Sequence, residues 1–288
     1  MSAVPEIRRS AGSKIWKWVR RNKAASLGAT IMIIVTLAAI FAPWIAPYDP
    51  DEQNIILNLG PPTAEHWLGN DTYGRDTLSR IIWGARVSLF VSLTSISLAM
   101  LIGGTFGVVA GYFGGRTDRI IMACMDVLLS FPSLVMGLLV VAVLGPTMMN
   151  LIIAIAFTAI APFARIARAP TLSIRNREFV EAGRTIGFSD LKIMVRYIIP
   201  NIADEVVVLG TLWLATAVRT EASLSFIGLG VRPPTPTWGG MIRDGFENML
   251  DAPWLVIFPS IAILIVMIAL NLLGDGLRDA TDPRLRHE

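Results

Sequence analysis

Long apolar stretches alternate with short charged segments along the chain. Six of these stretches approach the length of about 20 mostly apolar residues that a helix needs to cross the hydrocarbon core of a bilayer. The six windows cover residues 24–46, 87–112, 120–144, 149–169, 203–227 and 253–273. We therefore predict an all-α, polytopic membrane protein with six transmembrane helices.

The positions of Lys and Arg predict the orientation of these spans, because short loops rich in basic residues stay in the cytoplasm. Basic residues precede the first span, and they recur around Arg116, around Arg184 and from Arg278 onward. All of these segments fall on the same side of the predicted membrane. Both termini are therefore predicted to be cytoplasmic.

The spans and the charges together predict the organisation of the chain. In the N-terminal segment, Trp16 and Trp18 alternate with basic residues, which suits either a helix lying in the membrane interface or the start of an aromatic belt. The predicted parts are a cytoplasmic N-terminal segment (1–23), the first span (24–46), an external loop (47–86), a five-helix core (87–274) that includes a cytoplasmic loop (173–202), and a cytoplasmic tail (275–288).

Composition favours a lipid environment and argues against several classes of protein. Hydrophobic residues make up 53% of the chain and charged residues 16%, with a net charge of +3. The Lys and Arg residues flank apolar spans instead of forming a patch, so we expect no nucleic acid partner. The single Cys124 allows no disulfide within the chain, and neither His66 nor His287 lies near a second ligand at a metal-binding spacing.

The chain also lacks the motifs of the enzymes that work in membranes. It contains no G-x-x-x-x-G-K-[ST] phosphate cradle, no H-E-x-x-H zinc motif and no G-x-S-x-G nucleophile elbow. We therefore predict that the chain is not an enzyme and binds no cofactor. If ATP drives its function, ATP is bound and hydrolysed by a separate polypeptide.

Two features stand out inside the predicted spans. The residues Gly103, Gly107, Gly111 and Gly115 recur every four residues, which predicts a helix face that another backbone approaches closely. Ionisable groups within hydrocarbon usually face a partner helix or a water-filled cavity. We therefore take Asp126, Arg219 and Glu221 as candidate residues of a translocation path, with a purely structural pairing as the alternative.

The segment from Arg175 to Gly187 is too charged to enter the membrane and has the pattern of one short helix. Gly187 is predicted to end this helix in a left-handed conformation. Its side of small and apolar residues suits docking in a groove of a partner, although a solvated surface helix would show the same pattern.

This region resembles the EAA loop of ABC importer permeases, whose pattern is E-A-A, three residues, G, nine residues and I-x-L-P. The matching residues are Glu181, Ala182, Gly183, Gly187 and Tyr197–Pro200. The spacing agrees throughout, with Gly183 in place of the second Ala, Tyr197 in place of Ile and Ile199 in place of Leu.

Further stretches are similar to the dipeptide, oligopeptide and nickel branch of these importers, and most similar to its second, shorter type of permease. Together they cover nearly the whole chain. They are His66–Asp71 (HWLGND), Gly74–Asp76 (GRD), Gly84–Arg86 (GAR), Gly111–Gly115 (GYFGG), Gly228–Gly230 (GLG), Pro233–Gly239 (PPTPTWG) and Asn271–Asp279 (NLLGDGLRD).

The resemblance implies a function and a set of partners. The chain would be one of two different permeases in a bacterial inner membrane, above two ATPases that bind ATP, and would receive peptides or similar small solutes from an extracytoplasmic binding protein. By this resemblance Glu181, Ala182, Gly183 and Gly187 seat in an ATPase cleft, while Pro200 stops the segment before the fifth span.

Other functions stay open on the residues alone. An ion-coupled secondary transporter or a channel would have similar spans but would act without an ATPase. A membrane enzyme or a purely structural scaffold are further alternatives. The sequence does not identify the cargo, because dipeptides, longer peptides, glutathione, opine-like compounds and nickel chelates all suit this branch.

Overall fold

The computed structural model describes residues 22–281, and it is built from helices. The predicted interfacial helix of the N-terminal segment lies outside the described residues. No strand is formed between residues 22 and 281 apart from an isolated bridge between Asn70 and Asp76. The helices are α1 (Lys23–Ile40), α2 (Ala42–Ile45), α3 (Thr77–Phe113), α4 (Gly115–Leu129), α5 (Ser133–Leu144), α6 (Met148–Ile174), α7 (Glu178–Thr185), α8 (Asp190–Ile193), α9 (Ile199–Phe226), α10 (Trp238–Phe246) and α11 (Trp254–Thr281).

The predicted all-α membrane fold is confirmed. Five helical segments among the described residues are long and apolar enough to cross a bilayer, and a bent pair of helices raises the number to six if the pair is one span. The five segments are Lys23–Ile40, Thr77–Phe113, Met148–Ile174, Asp190–Phe226 and Trp254–Ala280. We call the side of the membrane with residues 46–76 the long-loop side, and the side with α7 the short-helix side.

The window 120–144, predicted as a single continuous helix, is instead a broken one. Helix α4 ends at Leu129, α5 begins at Ser133, and the two are bent by 90°. Pro132 explains the break, because proline has no backbone N–H to donate and moves the residue before it out of the helical conformation. Apolar content predicted a span here, but it could not show that the span is interrupted.

Two other helix ends differ from the prediction. Helix α3 begins at Thr77, so residues 77–86 are helical instead of part of the long loop. The Asp76 carboxylate caps this helix by accepting hydrogen bonds from the Ser79 backbone N–H at 2.8 Å and from the Ser79 hydroxyl at 2.7 Å. Helix α11 continues to Thr281, beyond the predicted start of the tail.

Pro200 does not stop the segment before the fifth span, contrary to the prediction. The chain is helical from Asp190 to Phe226, and Pro200 occupies the first turn of α9. A π-helical turn over Met194–Ile198 precedes it. Proline is tolerated here because the wider turn accommodates its missing N–H and its ring.

The glycine pattern forms the predicted packing face between α3 and α6. A Cβ on Gly103 would lie 2.3 Å from the Ile160 carbonyl oxygen, and one on Gly107 would lie 2.2 Å from that of Ala164. A Cβ on Gly111 would lie 2.7 Å from the Thr171 Cβ. Gly115 departs from the pattern, because it begins α4 and has open space around it.

Polar residues tie the long loop to the spans. The Asp71 carboxylate forms ion pairs with Arg75 at 2.7 Å and with Arg80 at 3.5 Å, and His66 Nδ1 lies 2.9 Å from Asp76 Oδ1. Arg80 is nearly fully buried and also contacts the Pro50 carbonyl at 2.8 Å. The long loop is therefore a folded cap on the ends of the helices.

Candidate functional site

Helix α7 lies on the short-helix side between two spans and has a complete C-terminal cap. Gly187 adopts a φ of +84°, as predicted from the sequence. The Phe188 N–H donates to the Gly183 carbonyl at 3.0 Å, and the Gly187 N–H donates to the Arg184 carbonyl at 2.9 Å. These two bonds form a Schellman motif, which requires a residue with positive φ at Gly187.

The two faces of α7 have different environments. Val180 and Gly183 are buried, three residues apart on the face toward the chain's own core. Glu181 and Ala182 lie on the exposed face, where Ile186 is 72% exposed. Of the predicted pair of small residues, only Ala182 is therefore open to a partner protein.

The buried position of Gly183 does not itself require a glycine. A Cβ at this position would lie 3.4 Å from Phe188 Cδ2 and 3.9 Å from Ile193 Cγ1, which are ordinary van der Waals distances. The site thus has room for the alanine of the EAA pattern, and Gly183 is not forced by crowding.

A polar and aromatic cluster connects α7 to the spans. The Tyr112 hydroxyl, at the end of α3, donates to Asp190 Oδ1 at 2.5 Å, and the Arg184 guanidinium lies 5.2 Å from the Tyr112 ring centre. The Tyr197 ring, in the π-helical turn before α9, stacks near Phe179 and Phe188 at 6.4 and 6.0 Å. Movement of α7 would therefore pull on two spans at once.

A charged face lies on α4 and α6, within the spans. Asp126 Oδ1 forms an ion pair with Arg165 Nη2 at 2.5 Å, and the two side chains are 60% and 53% exposed in the isolated chain. Arg165 lies nine residues before the end of α6, which places it about 14 Å from that end. Such charges are costly when they face hydrocarbon, so water or another subunit must cover this face.

Sequence reasoning selected Asp126 but missed Arg165. A signal was present, because Arg165 and Arg168 stand three residues apart in the otherwise apolar window 149–169. Arg168 forms a second ion pair with Asp118, with a 2.6 Å bond between Nη2 and Oδ2.

The two other candidate path residues lie in different environments. The Arg219 side chain is exposed on α9. Glu221 is fully buried, and its Oε1 accepts a hydrogen bond from the Ser225 hydroxyl at 2.7 Å. Glu221 thus faces the protein interior in this conformation, and the structure does not bring it together with Arg219 or Asp126.

Neither the long loop nor the spans show a metal centre. Among residues 22–281, no group of three or more His, Cys, Asp or Glu side chains is arranged to hold a metal ion.

On the long-loop side, burial raises the pKa of the Asp244 carboxyl above its ordinary value, although Arg80 and Arg75 act in the opposite direction. This carboxyl lines a small cleft with Arg80 and Asp71.

Comparison with known proteins gives a consistent family assignment. Residues 103–287 match the family described as "Binding-protein-dependent transport system inner membrane component", and residues 10–62 match "N-terminal TM domain of oligopeptide transport permease C". The chain is 42% identical over 291 residues to the glutathione transport system permease protein GsiD of Escherichia coli O6:K15:H31 (strain 536 / UPEC) and of Shigella boydii serotype 4 (strain Sb227). These alignments cover 99% of this chain and 96% of each relative.

A solved structure shares the fold. The inward-facing MetNI methionine ABC transporter contains a chain that superposes with a TM-score of 0.57 at 18% sequence identity, over 70% of this chain and 97% of that one. The family matches cover both ends of the protein, and the apolar helices agree with a multi-pass location in the inner membrane. The chain belongs to the binding-protein-dependent inner membrane components, as an ABC importer permease of the peptide and nickel branch.

Proposed function

We propose that the chain forms half of a translocation path for peptides, including glutathione-like tripeptides, and that α7 couples this path to an ATPase. The full-length similarity to glutathione permeases supports the cargo class. In this proposal the partners are a second, different permease, two ATPases that bind ATP, and an extracytoplasmic binding protein. Both termini and α7 are cytoplasmic.

The exposed face of α7 is the observation that carries the coupling role. Glu181, Ala182 and Ile186 present a carboxylate, a small side chain and an apolar side chain outside the membrane. A carboxylate beside small and apolar groups suits a cleft that offers a charge-assisted hydrogen bond. Phe179 of α7 and Phe188, which follows α7, both lie near the Tyr197 ring, so a movement of α7 would be transmitted to the span that contains Tyr197.

The Asp126–Arg165 pair supports a path on the α4 and α6 face. A single Asp or Arg at the centre of a lipid-facing helix costs about 2.5–3.5 kcal/mol on insertion scales, so an open ion pair at this depth favours an aqueous cavity or a subunit interface. We assign this face to the path between the two permeases, with Arg219 nearer the long-loop side. Glu221 would join the path only after a rearrangement that exposes it.

The long-loop side is the proposed docking surface for the binding protein. Residues 46–76 form a folded cap with their own polar network, and Asp244 of α10 lines a cleft with Asp71 and Thr72 of this cap. A rigid, polar cap is suited to reversible docking of a water-soluble partner.

The test uses the complete transporter with its native partners, reconstituted in proteoliposomes with labelled glutathione and labelled di- and oligopeptides. Glu181→Lys is expected to reduce uptake by about tenfold or more, because reversing a charge at an interface replaces attraction with repulsion. ATP hydrolysis should continue without stimulation by the loaded binding protein. Asp279→Lys, which places the same charge change on the exposed end of α11, is the matched control and should leave uptake near the unmodified level.

Two results would contradict the proposal. Normal uptake by Glu181→Lys would remove α7 from the coupling mechanism. Purification of this chain alone, with ion-driven transport and no dependence on ATP, would instead favour a secondary transporter.

A further inference from the structure

A groove with a volume of about 380 Å³ opens at the surface of the chain among four spans, α1, α3, α9 and α11. Most of the side chains that line it are apolar. They include Met32, Ile40, Leu89, Phe90, Leu93 and Leu270. Residues from four separate helices shape the groove, so it is a feature of the tertiary structure and not of one helix surface.

One end of the groove carries a cation. Arg86 lies among the lining residues, and its guanidinium stands 5.7 Å from the Trp83 ring centre. No acidic side chain within residues 22–281 forms an ion pair with Arg86, whereas Arg75, Arg80, Arg165 and Arg168 all have such partners. The positive charge of Arg86 is therefore not neutralised by a carboxylate of the described residues.

The depth of Arg86 matches the headgroup region of a bilayer. Ile40 is the last residue of α1 and lines the same groove as Arg86. Trp44 follows four residues later and is 78% exposed. Tryptophan side chains prefer the interface between membrane and water, which places Arg86 near the phosphates of the leaflet on the long-loop side.

The length of the apolar surface matches one leaflet. A second, shallower depression shares Met32 and Thr36 with the groove and continues to Ala29 and Leu273. The twelve residues from Ala29 to Ile40 span about 16 Å of helix. This is close to half of the roughly 30 Å hydrocarbon core, so an acyl chain fits along α1 from the interface to the middle of the bilayer.

We propose that this groove is a binding site for an anionic phospholipid, with the phosphate on Arg86 and an acyl chain between α1 and α3. The Arg86 guanidinium would donate two parallel N–H hydrogen bonds to oxygens of the phosphate. Phosphatidylglycerol is preferred to phosphatidylethanolamine, because the ammonium group of the latter is repelled by the cation. The lipid fills the gap between α1 and the rest of the fold.

The charge of the site distinguishes lipid from a second protein helix. A helix about 10 Å wide would have to bury Arg86 or supply a carboxylate opposite it. A phospholipid supplies the anion and remains open to water at its headgroup. The proposal concerns the lipid-facing side of the fold and does not depend on the nature of the transported cargo.

The experiment is native mass spectrometry of the assembled transporter, released from nanodiscs that contain equal amounts of phosphatidylglycerol and phosphatidylethanolamine. The unmodified protein is expected to retain phosphatidylglycerol in about fivefold excess, from the attraction of one basic residue to anionic lipid. Arg86→Gln should abolish the excess and Arg86→Lys should keep part of it. Arg232→Gln, which removes an exposed arginine from the loop between α9 and α10, should keep all of it.

A second pair of variants tests the apolar part. Leu93→Trp fills the groove and should reduce retention of phosphatidylglycerol, whereas Leu101→Trp changes an exposed leucine on the same helix outside the groove and should not. Size-exclusion profiles of all variants should match that of the unmodified protein.

Three outcomes would overturn the proposal. They are equal retention of the two lipids by the unmodified protein, an unchanged excess in Arg86→Gln, and crosslinking of a photoreactive residue at position 93 to another subunit instead of to lipid.

Discussion

The contact between α3 and α6 gives a sharp test of how glycine sets the distance between two spans. Gly107→Ala would place a Cβ 2.2 Å from the Ala164 carbonyl oxygen and 2.8 Å from Ala167 Cβ. Bringing the first contact from 2.2 Å to 3.4 Å, the lower end of ordinary contact, requires about 1.2 Å of helix separation. The obstacle is backbone, so no side-chain rotation relieves it.

The matched control is Gly104→Ala, because a Cβ at Gly104 meets nothing within 4 Å. Both variants gain the same helix propensity, about 1 kcal/mol for Gly to Ala. Overpacking costs about 1–3 kcal/mol, so the difference between the two variants isolates the packing term. With about 2–4 °C per kcal/mol for a chain of this size class, Gly107→Ala should melt about 2–12 °C below Gly104→Ala.

The assay is fluorescence-detected size exclusion of the tagged protein after heating in mild detergent. It reports the temperature at which half of the protein is lost from the monodisperse peak. Identical midpoints for Gly107→Ala and Gly104→Ala would refute the reasoning, because they would show that α3 and α6 separate without cost.

Three further predictions follow from other contacts. Asp126→Asn should reduce uptake about tenfold (~1.4 kcal/mol), because it leaves Arg165 unpaired. The double variant Asp126→Arg with Arg165→Asp should restore part of the uptake, and a folded double variant without restored uptake would argue against a functional ion pair. Tyr112→Phe removes the donor to Asp190 and should speed hydrogen exchange in residues 186–193; unchanged exchange would contradict that link. The pKa of Asp244 is higher in the folded state than in the unfolded state, so its contribution favours folding at low pH and is lost as pH rises through the folded pKa. Asp244→Asn should therefore raise the melting midpoint at neutral pH but not at acid pH. An equal effect of the variant at both pH values would contradict this reasoning.

The local sequence pattern was sufficient for the fold class and for several details. Apolar windows alone identify the membrane spans, because the bilayer sets both their length and their composition. The cap of α7 at Gly187 was predicted correctly, since a left-handed turn needs glycine and depends only on neighbouring residues. The close approach at Gly103 and Gly107 followed from a four-residue spacing, which is also a local property.

Tertiary contacts decided what the local pattern could not. Asp126 was selected as an isolated charge, yet its partner Arg165 lies 39 residues away on another helix. Glu221 and Arg219 are both ionisable residues in the same apolar window of the sequence, but the packing of α9 buries Glu221 and exposes Arg219. Gly183 turns inward because the core, and not the helix pattern, determines which face of α7 is covered.

The ends and breaks of the helices also separate what the local sequence predicts from what only the structure shows. Pro132 interrupts a span while Pro200 does not, although both are prolines beside apolar residues. The π-helical turn before Pro200 accommodates the ring, and the chain at Pro132 bends by 90° instead. The sequence determined that lipid surrounds this protein and where its helices form, because those properties depend on residues close together in the chain. Which charges pair and which faces meet were decided by the tertiary structure, because they depend on residues brought together from different helices.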